Sequence, residues 1–325
     1  MNVEKLLRES GRIVWRYKPL WALGIAIAAC GGQNPAASVR PDFNFQVSGS
    51  PEDLAPFLRL FEWLSRPAVF VPLLGGGFVL GLIFFVVASL AEGALIGGVQ
   101  QASNGQATLG SALAVGQNRL WPVLIVRLLI GVSLVAPLLI VLIPILLYFG
   151  RVIFATGVPP REIVAVFGAL FACLLPLVCL LALMSIFLGW LEVLALRAMV
   201  IEGLGVWAAL RRGWQLLRGN FGRILSLWFI LVIAQIVVGY AISLPLGLIG
   251  GASALPLLLE FAATGRFPSR GLIPLAMGAS IAWVISVAVG GVILTYVSSL
   301  WTLAYQQFTR PAGAPGSPPT PPVFQ

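Results

Sequence analysis

Long apolar stretches alternate along the chain with shorter segments in which polar and apolar positions recur at helical spacing. The first short segment, residues 2–17, sets Val3, Leu6, Leu7, Ile13, Val14 and Tyr17 on one side of a helix. Glu4, Lys5, Arg8, Glu9, Arg12 and Arg16 take the remaining positions. An amphipathic helix over residues 1–18 with this pattern is expected to lie in a membrane interface. Apolar stretches follow near residues 19–32, 67–91, 120–148, 163–190, 224–249 and 272–303. All but the first exceed the ~18 residues that mark a spanning helix. The first, PLWALGIAIAACGG, is short, and Trp15 and Tyr17 extend it into the aromatic belt of the interface. The pattern predicts an all-α fold, a polytopic transmembrane helical bundle of about six spans within residues 19–310. Alternating strands of about ten residues, the mark of a membrane barrel, are absent.

The connecting segments add detail. Residues 32–66 read as a polar outer loop in which LAPFLRLFEWL forms a short amphipathic piece. The second stretch contains GGGFVLG, with Gly77 and Gly81 spaced for close helix contact. The third holds Pro122, Pro137, Pro144 and an internal Arg127. The tail, residues 311–325, is PAGAPGSPPTPPVFQ and is expected to be disordered. Ile27-Ala28-Ala29-Cys30 resembles a bacterial lipoprotein box, but a long, helically patterned basic region with two glutamates precedes it. An uncleaved first helix is the preferred reading.

Composition supports a membrane protein: 59% of the 325 residues are hydrophobic and 10% are charged, against about 25% charged in soluble domains. Mean hydropathy is +0.99. The net charge of +9 then points to anionic lipid and basic cytoplasmic loops, not to nucleic acid. Lys5, Arg8, Arg12, Arg16, Lys18, Arg119, Arg197, Arg211, Arg212, Arg218, Arg223 and Arg310 fall on one predicted side, with Arg197 counted as a loop residue. The smaller set of Arg40, Arg59, Arg66, Arg151, Arg161, Arg266 and Arg270 falls on the other. Both termini are therefore expected in the cytoplasm of a bacterium, with the protein multi-pass in the inner membrane.

Candidate chemistry is sparse. The chain has no histidine, so His-based triads, His metal sites and His acid–base catalysis fall away. Cys173 and Cys179 sit six apart, off a shared helix face, and with Cys30 they suggest no disulfide framework. Phosphate-loop, GxSxG, HExxH and CxxC motifs are missing. No enzyme activity, cofactor or metal is expected.

An internal repeat carries the remaining signal. EGALIGGVQQASNGQATLGSALAVGQNRLWPVLIV and EVLALRAMVIEGLGVWAALRRGWQLLRGNFGRILSL each begin at a glutamate, Glu92 or Glu192, at the end of a span. Each continues through a Gly-containing turn and a short helical piece into a new span, and RYKPLWALGI offers a fainter third copy. In the second copy Trp207, Leu210, Trp214, Leu217 and Phe221 share one helix face, while Arg211, Arg212, Gln215 and Arg218 point elsewhere. This predicts a cytoplasmic interfacial helix with Arg211, Arg212 and Arg218 as lipid-headgroup contacts. Glu92, Glu192 and Arg127 are the candidate intramembrane charges. One reading makes the glutamates helix-end carboxylates, solvated or paired with basic residues; the other makes them a symmetric pair that binds a cation or proton. Arg127 either snorkels or bridges to Glu92 or Glu192, or else contacts a substrate anion.

The segments WRYKPLWALG, SLAEGALIGGVQQASNGQATLGSAL, ALRRGWQLLRGNFGRIL and SLWTLAYQQFTR resemble a broad group of uncharacterised bacterial membrane proteins. That group is similar to the membrane domain found beside some glycerophosphoryl diester phosphodiesterases. The resemblance implies a noncatalytic integral membrane module, since the catalytic domain of that family is a separate barrel whose histidines this chain lacks. The expected function is a non-enzymatic membrane scaffold or regulatory module, with a small transporter or permease component as the alternative. Expected partners are membrane lipids, including anionic headgroups, and a further copy or another membrane protein.

Overall fold

Where an apolar stretch ends and where its helix ends are different questions, and the computed structural model separates them. It describes residues 3–31, 67–156, 160–264 and 272–309. The described residues form nine helices: α1 (Val3–Arg16), α2 (Pro19–Ala29), α3 (Pro67–Ser103), α4 (Leu109–Asn118), α5 (Leu120–Thr156), α6 (Pro160–Ile201), α7 (Val206–Gly219), α8 (Phe221–Thr264) and α9 (Leu272–Thr309). The piece LAPFLRLFEWL and the tail 311–325 lie outside the described residues.

Five helices are long and apolar enough to cross a membrane, over Pro67–Ser103, Leu120–Ile145, Leu174–Ile201, Phe221–Pro256 and Ile273–Thr309. The expected count of about six included the apolar stretch at the N-terminus. There the apolar stretch forms only the 11-residue α2, which rises about 16 Å against a hydrocarbon core of about 30 Å. Pro19 opens α2, where its missing N–H costs nothing. The chain leaves it through Gly31 at φ +68°, a left-handed conformation suited to glycine.

The C-terminal parts of α3, α6 and α9 meet the N-terminal parts of α2, α5 and α8 at one end of the molecule. The core sits there. Trp190, Leu194, Met199, Ile224 and Trp301 bury themselves in one apolar cluster. Leu6, Leu20, Leu95, Val99 and Leu303 do so in a second. Toward the other end the long helices present apolar side chains outward, as a lipid solvent allows. Residues 70–84 of α3 are all exposed.

Close approach occurs where glycine permits it. A Cβ on Gly24 of α2 would run into the Gly291 carbonyl and the Thr295 hydroxyl of α9. One on Gly291 would stand 2.5 Å from Ile25 Cα. The Gly77–Gly81 pair expected to mark a helix contact is open instead, with nothing within 4 Å of a Cβ at either.

The short helices α4 and α7 lie against α3 and α6. Each follows a left-handed glycine, Gly105 at φ +83° and Gly203 at φ +71°. Thr108 caps α4: its side chain accepts from Ser111 N at 3.3 Å, and the Ser111 hydroxyl accepts from Thr108 N at 3.3 Å. Each short helix presses a glycine on the long one, Gly116 toward Leu90 and Ala94, and Gly213 toward Leu191 and Ala195. Helix α1 packs its apolar face on the protein, mainly against α9, with Leu6, Ile13 and Val14 buried. That face therefore contacts protein, where the sequence pattern alone suggested lipid. An apolar stripe is satisfied equally by either environment.

Candidate functional site

The three charges singled out by sequence come together. Arg127, about two turns into α5, reaches between α3 and α6. Its Nη2 pairs with Glu92 Oε2, and its Nε lies 3.4 Å from Glu192 Oε1. Nη1 donates to Ser89 Oγ at 3.5 Å, and Ser89 in turn donates to the Phe85 carbonyl at 2.7 Å. Side-chain exposure is 11% for Arg127, 12% for Glu92 and 24% for Glu192. A guanidinium suits this place because its planar fork serves two carboxylates at once, which an ammonium does poorly. The result is a polar knot joining three helices. Neither a solvated helix end nor a snorkelling arginine describes it.

A second arginine was placed by sequence in a cytoplasmic loop and is not there. Arg197 lies inside α6, about one and a half turns past Glu192, and is 1% exposed. Its Nη1 donates to the Val193 carbonyl at 2.8 Å, and its Nη2 to the Ser298 carbonyl of α9 at 3.2 Å. No carboxylate lies within ion-pair distance of it among the described residues. The hydropathy pattern ended this span near residue 190, yet the helix runs on to Ile201. Its side chain clamps α6 to α9.

A third polar contact, also missed, sits at the same end of the bundle. The Tyr305 hydroxyl of α9 donates to Glu202 at 2.5 Å, and Arg212 of α7 stands 3.4 Å from the same carboxylate. Glu202 belongs to the turn between α6 and α7, so one carboxylate fixes α7 relative to α9. Nearby, Arg119 donates to the Gly203 carbonyl at 3.3 Å, tying the start of α5 to that turn.

Of the three arginines expected at the headgroups, Arg211 and Arg218 are exposed and Arg212 is turned toward Glu202. The apolar face of α7 divides. Ala209, Gly213, Leu216 and Leu217 are buried and Leu210 is half-buried, whereas Trp207 and Trp214, like Phe221 at the start of α8, stay exposed. Among the described residues, no group of three or more His, Cys, Asp or Glu is placed to hold a metal ion.

Residues 5–308 match a family described as a domain of unknown function (DUF7847). The chain belongs to the DUF7847 family. No curated protein and no solved structure matches it. The match runs from α1 into α9, so the short helices and the polar knot are all parts of the DUF7847 domain itself.

Proposed function

We propose that this DUF7847 chain is a non-enzymatic membrane scaffold or regulatory module of the bacterial inner membrane. Its working surface is the end that carries α1, α4 and α7. The observation that carries the reading is the pairing of Arg127 with both Glu92 and Glu192. Charges at membrane depth suggest an ion or substrate path when they face a cavity. Here they satisfy one another and hold α3, α5 and α6 together.

An internal repeat fits this organisation. The unit is a long helix, a short helix lying back on it, and a following helix: α3–α4–α5, then α6–α7–α8. Glu92 and Glu192 occupy matching places, as do Gly105 and Gly203, and Gly116 and Gly213. Helix α9 with α1 and α2 supplies a third, less regular unit, with α1 and α2 both packed on α9. Lys5, Arg12, Arg16, Lys18, Arg119, Arg211 and Arg218 collect on the end with the short helices. The excess of basic residues supports a cytoplasmic location for that end.

Reconstituted vesicles separate this reading from a small transporter. Glu192→Gln leaves Arg127 its partner Glu92, so a scaffold keeps its fold and shows no change in proton or cation leak. A wild-type proton or cation flux that Glu192→Gln abolishes in well-folded protein would replace the scaffold with the transporter.

A further inference from the structure

Two short helices occupy the same place in the fold, yet only one has the chemistry to read a lipid headgroup. Helix α4 is LGSALAVGQN, with no basic or aromatic side chain. Helix α7 is VWAALRRGWQLLRG. Its exposed side carries Trp207, Arg211, Trp214 and Arg218 at steps of four, three and four residues, which places them in one stripe. Trp207 is 75% exposed and Trp214 49% exposed. The Arg218 guanidinium stands 5.9 Å from the centre of the Trp214 ring. Exposed indole and guanidinium groups alternating along a helix between two membrane spans match a boundary that is apolar below and anionic above.

We propose that this stripe is a binding surface for the phosphodiester headgroups of anionic phospholipids. It rests on the reading of the short-helix end as the cytoplasmic membrane face, and it adds a ligand class to that reading. Trp207 and Trp214 set the depth of α7, and Arg211 and Arg218 present forked donors to phosphate oxygens. Arg212, one residue from Arg211, stands outside the site, because Glu202 holds it. The Glu202 contacts and the close seat of Gly213 on α6 fix the rotation of α7, so the stripe faces outward without rearrangement.

The test uses the full chain in nanodiscs of phosphatidylcholine and phosphatidylglycerol at three to one. The readout is the phosphatidylglycerol retained per protein after a mild detergent wash. The Arg211→Gln/Arg218→Gln variant is expected to lose the enrichment, about fivefold for each arginine removed, with an unchanged elution profile. Arg212→Gln is expected to retain it, although it loosens the Glu202 contact. Equal retention in wild type and the double variant, or equal loss in the double variant and Arg212→Gln, would overturn the proposal. Displacement of retained lipid by millimolar inorganic phosphate would also overturn it, since it would make free phosphate the ligand. None of these outcomes alters which side of the membrane α7 occupies, so the scaffold reading is tested separately by side-specific labelling.

Discussion

Arg127 shows how a single residue decides between function and architecture. Removing one partner of a buried pair leaves an uncompensated charge, at a cost of about 3–5 kcal/mol. Arg127→Met should lower the unfolding free energy in detergent by that amount, because Glu92 and Glu192 then face each other without a cation. The neutral triple variant Glu92→Gln/Arg127→Met/Glu192→Gln should recover most of the loss. If the triple variant unfolds as readily as the single one, the pairing contributes nothing. Arg197→Met should cost less, about 1.5–3 kcal/mol, by releasing two carbonyls, and limited proteolysis should then find the α6–α9 contact loosened. The meeting of Arg127 with Glu92 and Glu192 was legible as one of several alternatives, since their depths along the spans agree. The burial of Arg197 was not. Arg211, Arg212, Arg218 and Arg223 follow it in the sequence, and a charge count groups it with them in one loop.

At the scale of the helix, apolar patterning located the elements but misjudged their ends and their neighbours. Helices α3 and α6 continue about three turns beyond their apolar stretches, and the chain turns only at Gly105 and Gly203; polar side chains on a packed turn do not end a helix. The amphipathicity of α1 and α7 was visible in the sequence, but the environment of each apolar face was not: protein and lipid reward the same stripe. Glycines sharpen the point. Gly77 and Gly81 have the spacing of a helix contact and face open space, whereas Gly24 and Gly291, in unremarkable sequence, let α2 and α9 touch backbone to backbone. Gly24→Ala should therefore destabilise by about 1–3 kcal/mol through overpacking. Gly77→Ala should be neutral or stabilising by about 0.5–1 kcal/mol, as expected for an unpartnered helical glycine. Paired unfolding curves measure both; destabilisation by Gly77→Ala would mean that the outer half of α3 is covered by a partner.

For the whole molecule, the apolar stretches and the composition pointed to a membrane and to the all-helical class, and the basic residues to an expected orientation. The grouping of α1, α4 and α7 at one end required the fold, because the association of α1 with α9 spans nearly the full chain. That grouping is the central claim: three short helices, one in each unit, on the cytoplasmic face. It is tested most directly by single cysteines at Glu4, Gln117 and Gln215, exposed positions on α1, α4 and α7, in a chain whose three native cysteines are replaced by serine. A membrane-impermeant maleimide is added to intact cells and, separately, to inverted vesicles, with Pro67→Cys at the start of α3 marking the opposite face. Labelling of all three positions only in inverted vesicles, and of the Pro67 position only in cells, is the expected result. Labelling of the α1 position from the side opposite α4 and α7 would contradict it.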